Sequence, residues 1–509
     1  MRAMRVLIRC DGGGPLGVGH LVRSLALVEE LRRRGHDALV AGHLEGDLAR
    51  RLLEAADVPL LAMPPARPGD EVAAAVALLA DHPAEVLHVD HYDLQPLPAG
   101  VRLPGGALLS SMEEGSFGRR SADVVVDPTL GAQREDRPDD GSARVLRGSG
   151  FAAVRQRVRD QRRVAPGEQP ERARRVLVQM GGTDPLGLTP LVVRALGRTG
   201  LPLEVSVVIR RDRAAQVREA ADAAPRLALD LHEPAADVTA LLGSHDLVVS
   251  AAGTTVWELC CVGAPMALVQ AVANQQDGYA RVVAAGAATG LGGPPDVADA
   301  ERAGQVLREL LLDQQGRQAM AASAAGIVDG LGAWRIVGAW EHALVHPAPA
   351  PPVVPEGWIV RSASRDDAEL LWEWRRHVDA HSSRSGRTVT RAEHESWLAS
   401  SLGRRDRVLL LVSDAVGDVG TVRWDELAPG DWEVSITVAP SRRGQGLARG
   451  LLGAGEAELT RGREVTAYLA VVHEDNEPSR RLFDAAGYLP DQPRDEDGFA
   501  RFRRPGPGA

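Results

Sequence analysis

MRVLIRCDGGGPLGVGHLVRSLALVEELRRRG, residues 4–35, sets the architecture. It opens with MRVLIRC (4–10), a short apolar run that ends at glycines, the pattern of a strand buried on both faces. Leu21, Leu25, Val28 and Leu31 then recur at helical spacing, and Gly35 stops that helix. Strand, glycine turn and helix in this order predict a parallel sheet with helices on its faces. Working outward, DALVAG (37–42), EVLHVDHY (85–92) and ADVVVD (122–127) read as further strands. A polar, Arg-rich stretch follows at 155–175. RRVLVQMGG (174–182) then restarts the pattern, followed by LEVSVVI (203–209), HDLVVSAAG (245–253) and PMALVQA (265–271). The expected class is α/β, with two Rossmann-like domains at 1–155 and 170–344. Ligands of open parallel sheets bind beyond the carboxyl ends of the strands, so two such sheets face to face make a cleft.

VHPAPAPPVVPE (345–356) is too rich in proline for a regular helix or a central strand and reads as a semi-rigid linker. WIVRSASRDDAELLWEWRR (358–376) begins a new strand–helix pattern, which places a third domain at 357–505. Three domains also suit 509 residues. Aromatic residues make up only 4% and the net charge is −10, which argues against nucleic-acid and anionic-membrane partners. All 59 Lys+Arg residues are arginine. Without lysine there is no Schiff base and no Walker A phosphate lysine. The cysteines Cys10, Cys260 and Cys261 form neither a disulfide framework nor a zinc cluster, and no metal is expected. No apolar run is long enough for a membrane span, and the first residues lack a signal-peptide pattern, so the expected location is the cytoplasm.

WEVSITVAPSRRGQGLA (432–448) carries the sharpest local chemistry. A β-branched strand ends near Pro440. Arg443, Gly444, Gln445, Gly446, Leu447 and Ala448 then lead into an Ala/Leu-rich helix. Backbone N–H groups at such a start point toward a pyrophosphate, the helix dipole favours its charge, and the glycines let it approach. The segment resembles the coenzyme A loop of the GNAT acetyltransferases, with Arg443, Gly446 and Ala448 at the motif positions. VVHEDNEPSRRLFDAAGY (471–488) resembles that family's other cofactor motif through Asn476, Ser479, Phe483, Gly487 and Tyr488. WEWRRHVDAHSSRSGRTVTRAEHESWL (372–398) resembles the opening of family members that acetylate amino-sugar nucleotides. The resemblance implies acetyl-CoA as co-substrate and direct attack of an amine on the thioester, with the backbone N–H near Val438 on the oxyanion. Glu433 and Ser435 alternate with apolar neighbours; they are candidates to face the substrate, or they form an outward polar side. Phe483 stands where the family often has an acidic tyrosine, which leaves water or Tyr468 to protonate the thiolate.

In the first turn, Gly12, Gly14 and Gly17 formally match G-x-G-x-x-G. Pro15 removes a donor and the helix begins too late, so a dinucleotide is not the expected ligand. His20 opens the helix, where the dipole favours the neutral imidazole a general base needs; read alone, it is equally a helix cap. IRCDGGGPLGVGHLVRSLALVEEL (8–31) resembles the UDP-sugar hydrolase of pseudaminic acid biosynthesis, a relative of GT-B glycosyltransferases, at Arg9, Asp11, Gly19, His20, Arg23, Leu25 and Ala26. VDHYDL (89–94), QMGGTDP (179–185), SAAGTTVWELCCVGAP (250–265), ANQQ (273–276) and VDGLGAWR (328–335) extend the match. The sequence departs from that family in the longer, Pro-containing glycine loop and in Glu113 and Glu114, where a paired Asp is usual.

The resemblance implies a GT-B arrangement in which His20 activates a water that attacks the anomeric carbon, with Asp11 orienting His20 or a sugar hydroxyl. Arg9, Gly19, Arg23 and Tyr92 join the substrate contacts on that side. Gly253, Thr254 and Thr255 suit the phosphates at a helix start, Glu258 the ribose hydroxyls, Asn274 and Gln275 the sugar or phosphate, and Gly182 and Thr183 the opposite wall. The implied whole is a two-step enzyme. It acetylates the 4-amino group of a UDP-linked 4-amino-4,6-dideoxy sugar, then cleaves UDP from the diacetamido product, its partners being UDP-sugar and acetyl-CoA. Tethering raises the effective concentration of each site for the other's product. The alternatives are a GT-B glycosyltransferase or a non-catalytic sugar-nucleotide module in the first position. The sequence is silent on oligomeric state.

Overall fold

The computed structural model describes residues 3–65, 73–97, 102–163, 167–182, 184–234, 238–347, 351–377 and 389–507. The chain divides into two compact units, one of residues 1–132 and 139–340, the other of 133–138 and 341–509.

The first unit holds two parallel sheets. In one, β1 (Arg5–Cys10), β2 (Asp37–Gly42), β3 (Leu60–Ala62), β4 (Val86–Asp90), β5 (Leu108–Met112), β6 (Val124–Asp127) and β7 (Arg144–Arg147) stand in the order β3-β2-β1-β4-β5-β6-β7. In the other, β8 (Arg175–Gln179), β9 (Leu203–Val208), β10 (Leu227–His232), β11 (Leu247–Ala251), β12 (Met266–Val269) and β13 (Thr289–Gly290) stand in the order β10-β9-β8-β11-β12-β13. Apart from β7, the two orders are the same. In each, the winding reverses between the first and fourth strands, β1/β4 and β8/β11, and a crevice opens at such a reversal. Val6, Leu7 and Ile8 are fully buried, as a strand covered on both faces requires.

Three helices start at these crevices: α1 (Gly19–Arg33), α2 (Leu188–Arg198) and α3 (Thr255–Val262). A fourth is α4 (Gly332–Val345). Sequence position puts its first turns with the second sheet; the structure packs them on the first. Trp340 is fully buried, its Nε1 donates to Ser110 Oγ at 2.9 Å, and its ring lies 5.2 Å from that of His88. Arg34 Nη2 donates to the Trp334 carbonyl at 2.7 Å, and Arg335 Nη1 to that of Gly150 at 2.6 Å. The chain therefore crosses back, and the two Rossmann-like halves form a GT-B arrangement.

The second unit is built on one mixed sheet. β14 (Ile359–Ser362), β15 (Arg407–Asp414), β16 (Gly417–Ala428), β17 (Asp431–Val438), β18 (Ala467–His473), β19 (Leu489–Gln492) and β20 (Phe499–Pro505) run in the order β14-β15-β16-β17-β18-β20-β19. β17 and β18 are its parallel pair, and their pairing ends at Val434↔Ala470 although the strands continue to Val438 and His473. The sheet is thus splayed from that point. α5 (Ala368–Arg376) and α6 (Arg391–Leu402) cover one face through Leu371, Trp374 and Leu398. α7 (Ala448–Gly462) and α8 (Glu477–Ala485) cover the other, over buried Trp424 and Trp432.

The expected linker is only partly a spacer. Residues 348–350 lie outside the described residues, but 352–355 are seated on α7. A Cβ added at Gly450 would meet Pro355 Cγ at 2.8 Å, and one at Gly453 would meet the Val353 carbonyl carbon at 2.9 Å. Much of the segment 372–398 that suggested the acetyl acceptor, namely 378–388, also lies outside the described residues.

Candidate active sites

In the first unit, a cavity of about 250 Å³ occupies both crevices. Residues 16–20, Val22, Arg23 and Tyr92 line it from the first half; residues 179–182, 253–255 and Glu258 line it from the second. His20 stands in the first turn of α1. Its Nδ1 lies 2.7 Å from Asp90 Oδ1, at the carboxyl end of β4. Arg23, one turn on, donates from Nε to Asp90 Oδ2 at 2.6 Å and from Nη2 to Oδ1 at 2.5 Å. Burial alone would raise the Asp90 carboxyl, but the Arg23 guanidinium and His20 outweigh it and hold the group well below the usual carboxylate range. An ionised Asp90 can only accept, so Nδ1 carries the imidazole proton and Nε2 keeps its lone pair for a ligand. The Tyr92 ring meets His20 edge-on with centroids 4.6 Å apart. Tyr92 Oη accepts from Arg23 Nη2 at 3.2 Å and donates to Glu114 Oε2.

The structure corrects two assignments here. The carboxylate on His20 is Asp90, not Asp11. Arg9 Nη1 donates to Asp11 Oδ1, the His43 amide donates to the same oxygen at 2.8 Å, and His91 Nε2 lies 3.3 Å from Oδ2. Arg9 and Asp11 are both 2% exposed and neither lines the cavity. Two opposite charges two residues apart at a strand end can neutralise each other under the floor as readily as face a ligand.

Phosphate-holding capacity lies at the helix starts. A Cβ added at Gly19 would sit 2.7 Å from Thr254 Oγ1, so the first turns of α1 and α3 touch across the cleft. Neither has a side-chain cap. The third helix differs: Asp184 caps α2, accepting from the Leu188 and Thr189 amides at 2.8 and 3.0 Å. Two positive dipole ends thus remain open and one is closed. Gly182 packs on Val18, where a Cβ would lie 2.7 Å from Cγ2. Replacing Gly19 with Val is expected to wedge α1 from α3 and weaken UDP binding about tenfold, read by calorimetry.

Further along α3, Glu258 lines the cavity without a hydrogen-bond partner among the described residues. Burial pushes its carboxyl up to about 7, partly opposed by Arg155 and Arg157. The folded value lies above the unfolded one, so this group's contribution to stability is complete below about pH 4.5 and is lost as pH rises to about 7. Glu258→Gln is therefore expected to melt higher than the parent at pH 8, by roughly 3 kcal/mol of stability, with the gap closing toward pH 5 in thermal scans. Asn274 lines the cavity with Oδ1 buried and unpartnered, whereas Gln275 Oε1 is committed to the Ala271 amide at 2.9 Å. Gln179, which sequence reasoning passed over, also lines the cavity with an unpartnered Oε1. Thr183 lies outside the described residues.

In the second unit, Gly444 and Gly446 adopt φ of 76° and 73°, and Leu447 precedes α7 without a side-chain cap. Among the described residues no atom lies within 4 Å of a Cβ built on either glycine, so they leave the turn open on its outer side. The positive φ values explain why glycine stands at both places. Arg443 Nη2 donates to the His377 carbonyl at 2.9 Å, and Gln445 Oε1 accepts from Arg442 Nε at 3.2 Å. Ala448 begins α7, and Val438 ends β17 in the splayed part of the sheet. Asn476 caps α8: its Oδ1 accepts from the Ser479 amide at 3.2 Å, leaving only the amide nitrogen for a ligand. Glu433 is half-buried and Ser435 exposed, both on the face opposite buried Trp432 and Val434. Tyr468, the expected stand-in acid, is 3% exposed and packs between Trp424 and Arg504, with its hydroxyl pushed up to about 12, mainly by burial. It belongs to the core face of the sheet, beside Trp424 and Trp432.

Residues 358–489 match the family model of the acetyltransferase (GNAT) domain. Among solved structures, the spermidine N-acetyltransferase of Vibrio cholerae in complex with CoA and spermine is 16% identical, with a TM-score of 0.28, over 30% of this chain and 97% of that one. MurG of Acinetobacter baumannii is 16% identical, with a TM-score of 0.44, over 66% of this chain and 98% of that one. No curated protein matches the sequence. The C-terminal domain is a GNAT acetyltransferase domain. Among the described residues no helix is long and apolar enough to cross a membrane, and no group of His, Cys, Asp or Glu is placed to hold a metal.

Proposed function

We propose that the chain is a bifunctional nucleotide-sugar enzyme of the pseudaminic-acid type. The C-terminal domain acetylates the 4-amino group of a UDP-4-amino-4,6-dideoxy sugar with acetyl-CoA. The N-terminal pair hydrolyses the UDP-diacetamido-trideoxyhexose to free sugar and UDP. The observation that carries the second activity is the meeting of two uncapped helix starts at Gly19 and Thr254, directly beside His20. In a cavity without lysine, two dipole ends can hold a diphosphate. Glu258 is free to accept the ribose hydroxyls. His20 Nε2 takes a proton from water, the water oxygen bonds to the anomeric carbon, and the bond to UDP breaks with inversion. Asp90 stabilises the imidazolium that results, the role an orienting carboxylate plays beside any general-base histidine.

For acetyl transfer, the open turn at 444–447 receives the pyrophosphate, and the splay beyond Val434 and Ala470 admits the pantetheine arm. The amine attacks the thioester carbonyl, the amide of Val438 faces the oxyanion, and coenzyme A leaves as the thiol. In this reading Glu433 and Ser435 assist amine deprotonation. Phosphorus NMR of a UDP-sugar with the chain alone tests the hydrolase. UDP appearing without an acceptor supports it; no UDP from any acetylated substrate until a lipid or protein acceptor is added sinks it. Mass spectrometry of a panel of UDP-4-amino sugars with acetyl-CoA tests the transferase and identifies the sugar.

One observation favours glycosyl transfer as a second reading. The cleft mouth carries exposed Leu16, Leu186 and Val272, at 49, 50 and 44%. Such a rim suits an acceptor with apolar surface better than it suits water, and the same NMR experiment separates the two.

A further inference from the structure

Glu114 stands on the wall of the cleft that also carries Tyr92 and His20. The Tyr92 hydroxyl has given its one proton to Glu114 Oε2 and is itself held by Arg23 Nη2, whose neighbour Nη1 lies 3.6 Å from the same carboxylate oxygen. Tyr92 therefore has no proton left for a ligand. Glu114 is fixed by Tyr92, yet its side chain is 29% exposed, and its Oε1 has no partner among the described residues. Beside His20 Nε2, the side-chain acceptor that the described residues of this corner offer a ligand is Glu114 Oε1. Charge points the same way. Arg23 is neutralised by Asp90, so Glu114 presents a net negative charge to the cleft. A phosphate is repelled there and attracted to the two open helix starts. The sugar end of a nucleotide sugar is consequently the part that meets Glu114.

We propose that Glu114 is the sugar-reading residue of this cleft. Its Oε1 accepts an N–H from an acylamino group on the ring, and its charge faces the anomeric carbon as that carbon becomes positive. This rests on the hydrolytic reading of the site.

The test is E114Q, nearly isosteric and uncharged, compared with the unaltered full chain. UDP release is followed on UDP-2,4-diacetamido-2,4,6-trideoxyhexoses, and UDP binding by calorimetry. The expected result is a fall in kcat/KM of about 30-fold, the scale of one charge-assisted hydrogen bond, with UDP affinity unchanged. Equal kcat/KM in both proteins overturns the assignment and leaves the hydrolase intact. A parallel loss of UDP affinity also overturns it, because Glu114 then braces the cleft rather than reading the sugar. If the unaltered chain releases no UDP from any of these substrates, both the assignment and the hydrolytic reading fall.

Discussion

Replacing His20 with Asn is expected to slow UDP release about a thousandfold and to leave acetyl transfer at its original rate. Asparagine is close in size, so the turn at Gly19 and the contact with Thr254 survive. Its amide can still meet Asp90, which keeps Arg23 as a second partner. What disappears is the nitrogen lone pair that receives the water proton, and Asp90 stays held by Arg23. UDP should bind the variant as before, because the open helix starts are untouched. The measurement is a pair of steady-state assays on one preparation, phosphate-resolved UDP release and thiol-coupled acetyl transfer. Loss of both activities would refute separate sites.

Gly446→Trp is expected to raise KM for acetyl-CoA by more than about 100-fold without affecting UDP release. The position has φ of 73°, where a side chain costs about 1–2 kcal/mol. That cost is small against the stability of a domain. Among the described residues no atom lies within 4 Å of a Cβ built there, which leaves room outside the turn. That room is the space the pyrophosphate needs, and a bulky apolar ring there covers the amides at the start of α7. Calorimetry with coenzyme A provides the direct reading. Unchanged affinity would mean that the cofactor does not use this turn.

The two parallel sheets of the first unit were legible because glycine turns and apolar runs recur with little ambiguity, and β1 and β8 begin in the same way; their strand order was not read. The placement of 332–340 was not, because sequence spacing says which element comes next and not which sheet it covers. Trp340 finds its partners Ser110 and His88 more than two hundred residues earlier. At the site, the glycine-bearing helix starts stood out by local pattern, whereas His20 was singled out by resemblance. Asp90 was missed although its motif, VDHYDL, was in view. A carboxylate ending a fully buried strand beside β1 was the available signal, since only a strong partner keeps such a group charged. Arg9 and Asp11 misled for the same reason in reverse: a buried ion pair and a ligand-binding pair look alike in one dimension. In the acetyltransferase domain the glycine turn was readable, whereas the interior position of Tyr468 depended on which face of β18 meets α7.

The return of α4 to the first sheet also settles how the two Rossmann-like halves can move. Because the polypeptide passes between them twice, once near Arg155 and again just before Gly332, the join has two leaves. A single strand would permit a swivel in any direction. Two strands leave chiefly a scissor-like rotation about the line through both crossings, and such a rotation parts Gly19 from Thr254.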